Sequence, residues 1–227
     1  PLHELLLYYG IFMGGIFMGN LFNLDSGFSK FMNRVSDLFL LNILWVICSI
    51  PIITIGASTT ALYSVNLNLL SENEGHITKA FFKAFKENFK KSTAIWLIVL
   101  LISTILVVNL IFWLKCGLSI AYIALPFIFF TLFIFLLVTP YIFPVLSQTN
   151  SSILSIIKYC FFISIKALPY SLLITLFGLS VLFATFYFPI VFLFMLLLGV
   201  AIHSYMVSRI FLIVYNKNNN HFSKILS

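Results

Sequence analysis

The chain has 227 residues, 62% of them hydrophobic and 8% charged, with a formal net charge of +7 and a mean hydropathy of +1.12. A soluble core of this size cannot hold so much apolar side chain, so the composition excludes a soluble globular domain and indicates an integral membrane protein. The apolar runs are long and continuous, with no alternating segments of about ten residues. That pattern argues against a barrel and leaves helices to satisfy the backbone in lipid.

The expected fold class is therefore all-α and polytopic, with about six transmembrane helices, each needing roughly 20 apolar residues, and two amphipathic helices on the cytoplasmic face. The positive charge needs no nucleic acid to explain it, because basic residues flanking membrane spans follow from the positive-inside rule. Cys48, Cys116 and Cys160 show no metal-ligand or disulfide spacing and read as small core residues.

Residues 1–24 are apolar and Gly-containing but lack the basic n-region and cleavage site of a signal peptide. An in-plane or loosely docked segment is expected there. Pro1 stands where an initiator Met is usual, so the true start is expected to be missing, processed or misassigned, with Met13 and Met18 each able to serve as initiator. Ser26 can cap the next helix, in which Lys30, Arg34 and Asp37 share a face before the chain enters lipid near Leu38.

Two apolar runs, Val35 to Ile50 and Ile52 to Leu70, then meet at Pro51. Proline lacks the N–H that a helix interior needs and biases its predecessor away from helix, so Ile50-Pro51 is read as the turn of a hairpin of two spans. The second span opens with Gly56, Ala57 and Ser58 and continues with Thr60 and Ala61, small residues that permit close backbone approach. Packing of the hairpin on itself is the simpler role for them, and a substrate-lining role is the alternative.

After the polar turn Ser71 to Gly75, Ile77 to Lys91 reads as a basic amphipathic helix. Phe81, Phe85 and Phe89 recur every fourth residue, with Lys79, Lys83, Lys86, Lys90 and Lys91 around the other side. It is expected to lie in the plane of the membrane interface, as an anchor for the loop or as a docking surface for a partner. Spans three and four, Ser92 to Leu114 and Leu118 to Tyr141, are joined by a tight turn at Lys115 to Gly117, with Pro126 kinking span four and Pro140 and Pro144 ending it.

A second interfacial helix, Ile153 to Leu168, precedes spans five and six, Tyr170 to Thr185 and Pro189 to Val214. Residues 25–215 thus form one transmembrane domain, followed by the basic polar tail 216–227. A weak two-fold repeat relates 77–141 to 153–214. With six spans, Lys115 alone lies outside, and a single crossing through Pro51 would send Lys30 and Arg34 to join it. The hairpin is preferred, with both termini cytoplasmic.

Ionisable groups at bilayer depth are costly enough to stand out. His203 is the only one well inside an expected span; together with Asn42 and Asn109 it is read as an interhelical hydrogen-bonding residue. No phosphate-binding loop, HExxH or GxSxG motif is present. The expectation is a protein that is not an enzyme and holds no metal or cofactor.

Six stretches together resemble the YesL family, small polytopic membrane proteins of Gram-positive bacteria with no established activity. They are MGGIFMGNLFNLDSGF (Met13 to Phe28), SIPIITIGASTTALY (Ser49 to Tyr63), FFKAFKENFKKSTAIWLI (Phe81 to Ile98), PYIFPVL (Pro140 to Leu146), ISIKALPYSL (Ile163 to Leu172) and HSYMVSRIF (His203 to Phe211). The block around Ile52 to Ala61 is the most specific. The resemblance implies a cell-membrane protein often encoded beside carbohydrate ABC importers, and it brings no functional residues to carry over. Three functions fit: an accessory or regulatory subunit in carbohydrate uptake with ABC transporter subunits as partners, a small permease, or a structural protein whose partner is the lipid bilayer.

Overall fold

The computed structural model describes residues 27–71, 76–115 and 121–226, and all of its regular structure there is helical. The expected N-terminal segment 1–24 lies outside the described residues. The helices are α1 (Gly27–Ser49), a 3-10 turn (Ile52–Thr54), α2 (Ile55–Leu70), α3 (Ile77–Lys115), α4 (Ala121–Gln148), α5 (Ile153–Lys166), α6 (Leu168–Tyr187), α7 (Pro189–Phe194), a π-helical turn (Met195–Gly199) and α8 (Val200–Leu226). Among the described residues, five helical stretches are long and apolar enough to cross a membrane: Phe28–Ser49, Ile77–Lys115, Ala121–Gln148, Leu168–Tyr187 and Leu197–Asn216.

The chain divides into two compact units, Pro1–Leu40 and Leu41–Ser227. In the first, the described residues form the opening turns of α1, with Lys30 exposed and Arg34 half-buried. The second holds everything that follows.

Within the second unit, α2 is the central element. It packs against α3, α4 and α8, and most of its length is buried, from Gly56 to Leu67. At 16 residues and about 1.5 Å per residue it is about 24 Å long. The preceding 3-10 turn of three residues adds about 6 Å, which brings the pair to about the thickness of a bilayer core. A helix enclosed by other helices needs no long apolar surface of its own, which is why α2 tolerates Ser58, Thr60 and Asn66 in its interior.

The core gathers the last turns of α2 (Tyr63, Leu67), Ile95 and Val99 of α3, Tyr141 to Leu146 of α4, one face of α5, and Val207, Phe211 and Val214 of α8. α5 turns Ile156, Tyr159, Cys160 and Ile163 inward while Leu154, Phe161, Phe162 and Ile165 stay exposed. Burial there pushes the Tyr159 phenol and the Cys160 thiol above their ordinary pKa values. Away from this core, only 11% of the most apolar window of α3 and 17% of that of α4 is buried. Exposed Leu, Ile and Phe on this scale require a lipid environment.

Two expectations are corrected. Pro140 and Pro144 do not end span four: α4 runs through Pro126, Pro140 and Pro144 to Gln148, and neighbouring helices enclose the stretch Tyr141 to Leu146, the setting in which a membrane helix accommodates proline. The helix α8 continues through the polar stretch after Val214 to Leu226. The basic segment Ile77 to Lys91 is not a separate helix but the first part of α3, a single helix of 39 residues. Nothing in FKKSTAIW contains Gly or Pro, so no residue there breaks the hydrogen-bond ladder.

Candidate functional site

Two regions collect the residues singled out by the sequence: the joint between α1, α2 and α3, and the basic start of α3. At the first, the chain reverses around exposed Pro51, which opens the 3-10 turn in an extended conformation. Trp45 Nε1 donates to Thr59 Oγ1 at 3.1 Å and the Ser49 and Ser58 hydroxyls are 2.6 Å apart, so these two segments run side by side. Gly56 and Thr60 face α3 and not α1. A Cβ on Gly56 would stand 2.5 Å from the Ser92 carbonyl oxygen and from Trp96 Cβ, a distance at which the two helix backbones could not stay in place. Ser92 Oγ donates to Thr60 Oγ1 at 2.9 Å, and Trp96 Nε1 donates to the Ile52 carbonyl at 2.9 Å. Ala57 and Ala61 are fully buried beside them.

Deeper in the same unit a polar seam joins α1, α2 and α8. In the π turn the Val200 N–H bonds to the Met195 carbonyl, and the next N–H, that of Ala201, donates to Asn42 Oδ1 at 2.8 Å. The Ala201 carbonyl accepts from Ser204 Oγ at 2.9 Å, and Asn66 Nδ2 donates to Ser204 Oγ at 2.6 Å. Asn42, Asn66 and Ser204 are all buried. Asn66 Oδ1 and Ser208 Oγ are buried without a hydrogen-bond partner among the described residues.

Sequence reasoning passed over Asn66 and Ser204; an amide inside an apolar run, at Asn66 between Leu62 and Leu70, was the available signal. Asn109 is exposed on α3, away from the seam. His203 points elsewhere and stacks on Phe177 with ring centroids 5.5 Å apart and planes 4° apart, its Nε2 buried without a partner among the described residues.

The basic start of α3 presents a graded surface. Phe81 is fully buried, Phe85 is half-buried and Phe89 is exposed, so the ladder formed by Phe81, Phe85 and Phe89 climbs from the protein interior to its surface. Lys79, Lys83, Lys86 and Lys90 are exposed. Lys91 is tied down, its Nζ donating to the Asn150 carbonyl at 2.7 Å. The first fifteen residues of the helix, 77–91, extend about 22 Å along its axis. The same helix runs on without a break into the apolar stretch, so this segment extends it by that length.

One family comparison bears on this region. Residues 38–110 match a family described as "Protein of unknown function, DUF624". The DUF624 match covers about a third of the chain. It includes Asn42, the turn at Pro51, Gly56, Thr60, Asn66 and the whole basic start of α3, and it stops before α4. No curated protein and no solved structure matches the chain.

Proposed function

We propose that this chain is a non-enzymatic subunit of the cell membrane that docks a cytoplasmic partner through the projecting start of α3, in the service of carbohydrate uptake by an ABC importer. The observation that carries the docking half is the continuity of α3 from Ile77 to Lys115. A helix extended beyond its span, fixed by buried Phe81 and Ala84 and studded with exposed lysines, offers a rigid charged surface that an acidic groove on a partner can read. The resemblance to YesL proteins supports the carbohydrate half.

The test is affinity purification of the full chain from native membranes, comparing the wild type with a variant carrying Lys79→Glu and Lys83→Glu. The wild type is expected to bring down an importer subunit, and the variant to lose it while reaching the membrane at normal levels. Equal recovery, or no importer subunit with the wild type, contradicts the proposal.

A second reading, a permease in its own right, is favoured by the π turn that interrupts the last span beside the buried seam of Asn42 and Asn66. Interrupted membrane helices with polar groups at depth are how many transporters build their sites. Uptake of labelled sugars by liposomes holding the purified chain alone would support this reading over docking.

A further inference from the structure

Between α3 and the connection that follows α4 lies a groove of about 450 Å³, lined by Phe85, Lys86, Phe89, Lys90, Lys91 and Asn150. Because Lys91 is held by the Asn150 carbonyl, the exposed ammonium groups of Lys86 and Lys90 carry the charge that faces a ligand. Glu87 is the lone acid of the lining, so the groove is net positive.

The groove does not end at its lysines. At about 100° per residue, Lys86, Lys90, Leu97, Leu101 and Val108 fall within about 60° of one another around the helix. All five are exposed: Leu97, Leu101 and Val108 retain 48%, 63% and 60% of their surface. A single outward strip therefore runs from two ammonium groups, past the exposed ring of Phe89, onto hydrocarbon. A free anion would use only the top of this strip. A molecule with a phosphate at one end and acyl chains at the other would use all of it, with the phosphate at the depth where the helix changes from lysine to leucine.

We infer that the groove binds the headgroup phosphate of an anionic phospholipid, whose chains lie along the strip of Leu97, Leu101 and Val108. The inference is independent of the docking proposal, which uses Lys79 and Lys83, neither of which lines the groove.

The experiment uses the full chain in neutral detergent, titrated with phosphatidylglycerol and, separately, with phosphatidylcholine of the same acyl chains, and counts bound lipid by native mass spectrometry. The wild type is expected to prefer phosphatidylglycerol by roughly tenfold or more, the scale set by two lysines beside an anionic headgroup. K86Q/K90Q should lose the preference, while K86R/K90R and K115Q, the latter at the far end of α3, should keep it. An equal affinity of the wild type for both lipids, or a preference that survives in K86Q/K90Q, overturns the inference. Displacement of phosphatidylglycerol by inorganic phosphate would assign the groove to a free anion and overturn the lipid as its occupant.

Discussion

Asn42 and Asn66 have the same side chain in the same seam but are committed differently. Asn42 Oδ1 takes the Ala201 N–H beside the π turn. Asn66 Nδ2 joins a Ser204 hydroxyl that already donates to the Ala201 carbonyl. Removing a buried acceptor strands its donor at a cost of about 1–3 kcal/mol, whereas a redundant interhelical bond in a membrane protein averages about 0.6 kcal/mol. Asn42→Leu is therefore expected to lower the stability of the full chain in detergent more than Asn66→Leu, as read from reversible denaturation. Equal effects, or the reverse order, would show that the seam is not built around Ala201. At this scale the sequence was only partly legible. Asn42 stood out against its apolar run, but its partner is a backbone N–H beside a π turn, and a π turn has no signature in the hydrophobic periodicity. Asn109 stood out equally and proves exposed, because a span apolar all round does not tell which face a lone amide occupies.

Among the elements, α3 separates what periodicity can say from what it cannot. The pattern of Phe81, Phe85 and Phe89 against the lysines identified an amphipathic helix, and the apolar run after Ser92 identified a span. Whether the two are coaxial depends on the residues between them, and those contain no breaker. The α5 to α6 junction shows the contrast: Ala167 leaves the helical conformation (φ −107°, ψ 35°) just before Leu168-Pro169 opens the next helix, so there the preceding helix is distinct from the span. Spin labels at positions 79 and 108, both exposed, measure the difference. A continuous helix places the two backbone sites about 44 Å apart at 1.5 Å per residue, while a right-angle bend near Lys91 would bring them to about 31 Å on the same rise. A distribution centred on the shorter distance would contradict the projecting helix.

For the whole molecule, 62% hydrophobic residues pointed to a membrane protein, and the long continuous apolar runs, which argue against a barrel, pointed to an all-α polytopic one. Less legible was α2, whose burial by α3, α4 and α8 frees it from the length and uniform apolarity expected of a lipid-facing span. We propose that α2 is nonetheless a full crossing, which puts the turn at Pro51 on one side of the membrane and the lysines of α3 on the other. Cysteine accessibility tests this most directly. Single cysteines are placed at Pro51 and at Lys79 in a chain whose Cys48 and Cys116 have been replaced; native Cys160 is fully buried and should stay silent. The account predicts that a membrane-impermeant maleimide added to intact cells labels position 51 and leaves position 79 unlabelled until the membrane is opened. Labelling of both positions from outside would contradict it.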